Sequence, residues 1–241
     1  MIKFKNIAIA LKSPIKAAQY SAAYWSYKRA VASFAGLSNK EVEKLYCEIF
    51  ESDFIKDIAE RSDSPVGFSN LTMLAPFRAP TLYVITRILK PEHVVETGVA
   101  NGFSSAFILH ALEANKKGRL YSIDLPNQPG QVIEKQTGWL VSDDLRSRWD
   151  LIIGSSRDML EPLMKKLQAI DIFYHDSEHS YENMMFEFKL AWKYIKPDGY
   201  MLADDITDNS SYNEFVRDND CRHKELFKLG IMQKLNRGVS I

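Results

Sequence analysis

The chain has 241 residues, 46% of them apolar, and its 31 basic and 31 acidic side chains cancel. That length suits one α/β domain with a decorated end, or one domain plus a small second one. The neutral balance, with no long basic run and no alternation of basic and aromatic residues, argues against nucleic acid as the main partner. Cys47 and Cys221 are the two cysteines and form no C-x-x-C. They imply neither a disulfide scaffold nor a thiolate zinc site, and they fit a reducing cytoplasm. No apolar run reaches the roughly 18 residues of a membrane span, and the apolar Asn6–Leu11 is too short for a signal-peptide core.

Residues 1–12 are a basic, apolar lead. From Ser13 to about Leu37, Ile15, Ala18, Ala22, Trp25, Ala30 and Phe34 recur at helical spacing. Ser38 reads as an N-cap, and Glu41 three residues later completes a capping box. The helix after it carries Val42, Leu45, Tyr46, Ile49 and Phe50 on one face, and a shorter helix runs from Asp53 to Glu60. We read residues 1–70 as an all-helical cap. Its aromatics, Tyr20, Tyr24, Trp25 and Tyr27, leave open a substrate lid or a homodimer surface. Arg61–Asn70 is a Ser/Asp/Pro/Gly loop, and the boundary to a second domain, 71–241, falls there. Pro76 and Pro80 precede a helix over Thr81–Leu89.

His93, Val94 and Val95 open a short strand that leads into Glu96-Thr97-Gly98-Val99-Ala100-Asn101-Gly102. Gly98 and Gly102 let the backbone turn tightly and lie against a ligand. Phe103–Asn115 is a helix, and its start suits a polar or anionic group. The loop has no Gly-Lys-Ser/Thr, so it is not a P-loop, and its G-x-x-x-G spacing is not the G-x-G-x-x-G of dinucleotide folds. Glu96 would repel a pyrophosphate but suits a cationic ligand such as a sulfonium or an ammonium.

Leu120–Leu125 is a second strand, ending around Asp124. The long stretch 126–148 follows, with Gly130 and Gly138; loops of this length in compact domains are often functional, and substrate contacts are expected from it and from the helices before residue 75. Trp149–Ile153 is a third strand, closed by Gly154-Ser155-Ser156. Ser156–Leu167 has a one-sided apolar pattern, and Pro162 suggests that the regular helix starts there. Ile170–His175 is a fourth strand, bounded by Asp176. Ser180 caps a helix with the apolar stripe Tyr181, Met184, Met185, Phe188, Trp192 and Ile195. Lys196-Pro197-Asp198-Gly199 turns it into a fifth strand, Tyr200–Ala203, followed by Asp204-Asp205. A helix spans about Ser211–Asp218. Leu226–Ile231 and Met232–Ile241 look like an antiparallel hairpin at one sheet edge.

Five strands alternating with helices predict a doubly wound, mainly parallel α/β sheet with an antiparallel C-terminal hairpin and an N-terminal helical cap. In such sheets ligands bind at the carboxyl ends of the strands. Gly98, Asp124, Gly154-Ser155, Asp176 and Asp204-Asp205 stand at those ends and should converge on one crevice. A carboxylate at Asp124 can accept both hydroxyls of a ribose. Asp176, Asp204 and Asp205, if close, need a cation or protons between them. All-oxygen ligands suit a hard divalent ion such as Mg²⁺, Mn²⁺ or Ca²⁺; helix capping or pairing with Lys or Arg is the other reading. His179, three residues after Asp176, has a side chain whose ordinary pKa suits a general base near neutrality; a helix-start histidine bonded to backbone is the alternative. His175 and Glu178 are weaker candidates. His93 and His110 read as structural, and His223 as solvated.

Taken together, Glu96-x-Gly98-x-x-x-Gly102-x-Ser104, Asp124, Gly154-x-Ser156-x-Asp158, Asp176-x-x-His179 and Asp204-Asp205 follow the order of the class I S-adenosylmethionine-dependent methyltransferases. The set most resembles the small-molecule O-methyltransferases related to catechol O-methyltransferase and the macrolide-sugar O-methyltransferases, over roughly residues 75–235. The resemblance implies a Rossmann-like domain in which Glu96 and the Gly98–Gly102 loop, Asn101 within it, hold the methionine part of the cofactor, with Ser104 close by. It implies that Asp124 binds the ribose, and that Ser156 and Arg157 meet the adenine. Asp176, which would also border the cofactor, matches a metal ligand together with Asp204 and Asp205, for Mg²⁺ or Mn²⁺. His179 matches the base of the sugar-type enzymes; the lysine of the catechol type is missing from this segment. The implied reaction is methyl transfer from S-adenosylmethionine to a small-molecule hydroxyl of a sugar, natural product or phenol. A metal-independent enzyme of the same fold and a non-catalytic cofactor-binding protein are the alternatives. An NAD(P) oxidoreductase is disfavoured by the missing G-x-G-x-x-G and by Glu96.

Overall fold

The computed structural model describes residues 14–62, 77–125 and 136–236. The chain forms two compact units, Met1–Leu89 and Lys90–Ile241; the loop in which the domain boundary was expected lies largely outside the described residues.

The first unit is helical: α1 (Pro14–Ala35), α2 (Asn39–Phe50), α3 (Asp53–Arg61) and α4 (Arg78–Leu89). α2 begins where its sequence asks. The Ser38 hydroxyl accepts from the Glu41 amide, and the Glu41 carboxylate accepts from the Ser38 amide at 2.8 Å, so two otherwise orphaned donors are satisfied. α4 starts three residues earlier than predicted. Pro80 falls in its first turn, where a missing N–H leaves no hydrogen bond unmade. Tyr27, Val42, Tyr46, Ile49, Phe77 and Tyr83 are buried and form the unit's core. Polar contacts fix α4 against α2: Tyr46 and Thr81 share a 2.6 Å hydrogen bond, and Tyr83 and Arg87 both donate to Glu48 Oε1, at 2.5 and 2.8 Å.

The second unit is built on one seven-stranded sheet. Its strands are β1 (His93–Thr97), β2 (Arg119–Asp124), β3 (Trp149–Ile153), β4 (Ile170–His175), β5 (Ile195–Ala203), β6 (Cys221–Leu226) and β7 (Leu229–Lys234), in the order β3-β2-β1-β4-β5-β7-β6. β1 to β5 are parallel, and β7 runs antiparallel to β5 and β6. The helices are α5 (Phe103–Asn115), α6 (Ser156–Leu167), α7 (Tyr181–Tyr194) and α8 (Ser211–Asp218). Strand order reverses between β1 and β4, because β2 lies on one side of β1 and β4 on the other. Right-handed crossovers therefore place α5 and α7 on opposite faces. On the α7 face, Val95, Phe173 and Met201 pack with Leu160 of α6, Met184 and Phe188 of α7, and Phe215 of α8. Alternation puts Val94, Leu120 and Ile172 on the other face.

Two predicted boundaries are corrected. α6 begins at Ser156 and carries Pro162 in its interior. The N-cap Ser155, which accepts from the Asp158 amide, starts the helix upstream, and the lost amide of Pro162 does not break it. The hairpin pairs Cys221–Leu226 with Leu229–Lys234 and turns at Phe227–Lys228, with Phe227 at φ 58°. It lies about five residues earlier than predicted because β6 is an edge strand whose Arg222, His223, Lys224 and Glu225 are exposed. Such charged edges discourage further pairing and carry no apolar signal. Residues 237–241 of the predicted last strand lie outside the described residues. No helix among the described residues is long and apolar enough to cross a membrane.

Candidate active site

The carboxyl ends of β1 and β4 meet at the point where strand order reverses, and the backbone there is drawn very close. Asp176 N donates to Thr97 O at 2.8 Å, and Gly98 N donates to Ile123 O at 2.9 Å. Gly98 has φ +85°, and a Cβ on it would stand 2.0 Å from the Asp176 carbonyl oxygen. Only glycine allows both the backbone angle and the approach. Gly102, also at φ +85°, caps α5. The segment 136–141 lies on this loop. Gly138 N donates to Ala100 O and Leu140 N to Asn101 O, each at 2.9 Å, and Trp139 Nε1 reaches Asn101 Oδ1 at 3.3 Å. A Cβ on Gly102 would meet Gly138 Cα at 2.8 Å, and one on Gly138 would meet the Trp149 ring at 2.1 Å.

Beside this junction is a cavity of about 500 Å³. Gly98, Val99 and Ala100 supply one wall, Asp124 and Leu125 the end of β2, Ser155, Ser156 and Arg157 the start of α6, and Asp176, Ser177, Glu178 and Asn183 the opposite side. Asp124 Oδ2 accepts from Ala100 N at 2.9 Å. That bond ties the acid to the glycine loop, whose Ala100 is itself left-handed at φ 47°. Of the expected cofactor residues, Gly98, Asp124, Ser156, Arg157 and Asp176 line the cavity.

The others take different places. Glu96 is fully buried on the α5 side of β1, where its carboxylate accepts from Ser104 (2.6 Å), Ser105 (2.6 Å) and Ser122 (2.7 Å). Burial raises its pKa, and the three hydroxyls oppose that rise. Here Glu96 and Ser104 clamp the start of α5 to β1 and β2, and neither is in the cavity wall. Asn101 holds the 136–141 segment, and Gly102 the turn into α5.

Asp176 Oδ2 accepts from Tyr174 at 3.1 Å, and His179 Nε2 lies 3.8 Å from Asp176 Oδ1, too far for a hydrogen bond. His179 Nε2 is buried and has no hydrogen-bond partner. Its pKa is lowered by burial and by His175, against the pull of Asp205, Asp204 and Asp208. The expected metal set does not assemble. Asp204 is buried, Asp205 Oδ1 pairs with Lys228 Nζ at 3.1 Å, and the same ammonium reaches Asp208 at 3.2 Å. Among the described residues, no group of three or more His, Cys, Asp or Glu could hold a metal ion. The hairpin's Lys228 thus pairs with Asp205 at the end of β5 and with Asp208 beyond it.

One carboxylate escaped the sequence reading. Glu187, on the buried face of α7, meets Thr97, His175, Ser177 and Asn183. The signal was present, since an acid three residues after Met184 and one before Phe188 interrupts the apolar stripe.

Residues 95–206, from β1 to just past β5, match the profile of a family described as a methyltransferase domain. Solved structures share the fold. An O-methyltransferase from Bacillus cereus, in complex with S-adenosylhomocysteine, has a TM-score of 0.56 at 13% identity, over 77% of this chain and 91% of its own. A methyltransferase of Podospora anserina, also bound to S-adenosylhomocysteine, has a TM-score of 0.54 at 13% identity, over 77% and 88%. The O-methyltransferase TomG from Streptomyces achromogenes, involved in tomaymycin synthesis and solved with S-adenosylmethionine, gives 0.53 at 15%, over 77% and 91%. No curated protein sequence is significantly similar to the chain. The sheet order, the glycine junction and these matches define a class I Rossmann-like fold. The second unit of the chain carries that fold, and its residues 95–206 resemble a methyltransferase domain.

Proposed function

We propose that the protein transfers the methyl group of S-adenosylmethionine to a hydroxyl of a small molecule, with His179 as general base and without a divalent metal. The observation that carries this reading is the cavity at the β1/β4 junction, with Asp124 in its wall and the Asp176–His179 pair beside it. Its volume is in the range that small cofactors occupy.

When bound, S-adenosylmethionine supplies a methyl group on a sulfonium, already a good leaving group, so alignment is the main task left to the protein. Asp124, fixed by the Ala100 amide, would accept from the ribose hydroxyls. Ser156 and Arg157, at the start of α6, would border the adenine. The Gly98–Ala100 backbone, held against Asp176, would border the methionine part. His179 Nε2, which has no other partner, would take the proton of the acceptor hydroxyl as the oxygen forms its bond to the methyl carbon. His179 would end the transfer as the imidazolium, holding the acceptor's proton and so balancing the charge that the sulfonium loses as its carbon–sulfur bond gives its electron pair to sulfur. Lys228, by occupying the acids at the end of β5, would take the electrostatic place of a metal there. The free cysteines Cys47 and Cys221 accord with a cytoplasmic site of action.

The test is a calorimetric titration with S-adenosylmethionine and, separately, NADH. It is followed by incubation with methyl-labelled S-adenosylmethionine and a panel of sugar, phenol and polyketide hydroxyls, with and without EDTA. Binding of S-adenosylmethionine alone and labelled ether products in EDTA support the reading. Binding of NADH alone would overturn it, and bound S-adenosylmethionine with no labelled product across the panel would favour a non-catalytic binder.

A further inference from the structure

Glu187 is buried, and its two oxygens are shared out between two sites. Oε1 accepts from Ser177 Oγ at 2.8 Å and from Asn183 Nδ2 at 3.1 Å, and both residues line the cofactor cavity. Oε2 accepts from Thr97 Oγ1 at 2.5 Å and lies 2.6 Å from His175 Nδ1. Thr97 and His175 are register partners at the carboxyl ends of β1 and β4. His175 is fully buried, yet its Nε2 has no hydrogen-bond partner. Its ring meets that of His179 edge-on, with centroids 5.3 Å apart and planes at 88°.

A structural core does not require this arrangement. An apolar residue between Met184 and Phe188 would pack α7 without taking a carboxylate out of water, which is costly unless good hydrogen bonds compensate it. Donors from β1, β4, the loop after β4 and α7 itself do so here. Glu187 therefore stays below the ordinary carboxylate range: burial raises its pKa, and the hydrogen bonds of His175, Ser156 and Thr97 together lower it.

We propose that Glu187 and His175 are positioning residues for methyl transfer, one carboxylate registering the cofactor wall against the base. This rests on the reading of His179 as that base. Glu187 Oε2 holds the proton of His175 on Nδ1 and so fixes the His175 ring, and the edge-on packing of that ring sets the orientation of His179. Glu187 Oε1 holds Ser177 and Asn183, so the cavity wall and the imidazole pair cannot shift independently. Both variants below act through another residue, and neither side chain lines the cavity.

The experiment uses the full chain labelled with ¹⁵N-histidine, with S-adenosylhomocysteine as the probe. Long-range ¹H–¹⁵N spectra should show His175 protonated on Nδ1 and bare at Nε2. Glu187→Gln should shift the ring resonances of both His175 and His179. His175→Gln should lower kcat roughly 10²-fold for whichever panel hydroxyl is methylated, while the Kd for S-adenosylhomocysteine stays within about threefold, well under one tenfold step in affinity. Glu187→Gln should lower kcat and weaken the nucleotide together, and Glu187→Asp, which keeps the charge, should recover part of both. His175 protonated on Nε2 in the wild type, or His179 resonances unmoved in a folded Glu187→Gln protein, would overturn the proposal. If Glu187→Gln does not fold, His175→Gln decides: a kcat equal to the wild type refutes it. Wild-type calorimetry separates the two layers, since no binding of S-adenosylhomocysteine sinks the methyltransferase reading and leaves the spectra to decide the pairing of Glu187 with His175.

Discussion

Gly98→Ala tests the junction on which the cavity depends. The added methyl would sit 2.0 Å from Asp176 O, 2.4 Å from Asp176 C and 2.7 Å from Ser177 N, all backbone atoms that have no rotamer by which to retreat. The residue also stands at φ +85°. A left-handed backbone costs an L-residue about 1–2 kcal/mol. Overpacking against rigid neighbours adds about 1–3 kcal/mol, so we expect a loss of roughly 2–5 kcal/mol from the sum. Gly36→Ala is the control. Gly36 has φ +66° and nothing within 4 Å of the added methyl, so only the backbone part, about 1–2 kcal/mol, should appear. Urea unfolding followed by far-ultraviolet circular dichroism measures both. Calorimetry with S-adenosylhomocysteine should also show Gly98→Ala weakened at least about tenfold, because moving the β4 end by a fraction of an ångström misaligns the wall. Equal losses in the two variants, with the nucleotide affinity of Gly98→Ala unchanged, would refute the idea that β1 and β4 touch so closely there.

Other outcomes follow from the same geometry. Asp124→Asn should leave the fold intact and weaken S-adenosylhomocysteine by about 1.5–3 kcal/mol in calorimetry, the usual worth of hydrogen bonds to a charged group. His179→Ala should reduce turnover by about 10²–10⁴-fold in the labelled-methyl assay while sparing cofactor affinity; undiminished turnover removes His179 from its role. Thorough chelation should leave turnover unchanged, and a loss restored by Mg²⁺ or Mn²⁺ would contradict the pairing of Lys228 with Asp205 and Asp208. The two buried glutamates should give opposite pH dependences in urea titrations. Glu96 has a raised pKa, so the stability of wild type relative to Glu96→Gln should fall as pH rises from its ordinary value through its folded one. Glu187 has a lowered pKa, so wild type relative to Glu187→Gln should lose stability as pH falls through the folded value. Each slope is at most about 1.4 kcal/mol per pH unit for one proton.

The parallel sheet was legible because its strands are buried on both faces and read as apolar runs ended by Gly or Asp, as at Val94–Gly98 and Ile170–Asp176. α5 and α8 were legible to the residue from their periodicity, and α2 and α7 from the serines that cap them. The hairpin was not, because an edge strand needs no apolar face: Arg222-His223-Lys224-Glu225 reads as a solvated run. At the site, Gly98, Asp124 and Asp176 could be placed from their positions at strand ends, and Ser156 and Arg157 from the resemblance; all five line the cavity. Partnership could not. Whether Asp205 faces a metal ion or Lys228 depends on a hairpin distant in sequence, and no local pattern encodes that. The 136–141 segment was flagged by its length, but its contact with Asn101 depends on the Gly102 and Gly138 backbones meeting.

The two buried glutamates divide the labour at β1. Side chains alternate along the strand, so Glu96 faces α5 and Thr97, the next residue, faces α7. Glu96 collects Ser104, Ser105 and Ser122, which fixes where α5 begins relative to the glycine loop. Through Thr97, Glu187 does the same on the other side for the loop after β4. The cavity lies beside the backbone between them, and the Gly98–Ala100 loop and the Asp176–Glu178 loop are each anchored on a sealed carboxylate. A buried carboxylate tolerates little movement, because losing one donor leaves it costly and unsatisfied. That intolerance keeps the two loops in register, and the proposed transfer, which depends on aligning oxygen, methyl carbon and sulfur, requires such a register.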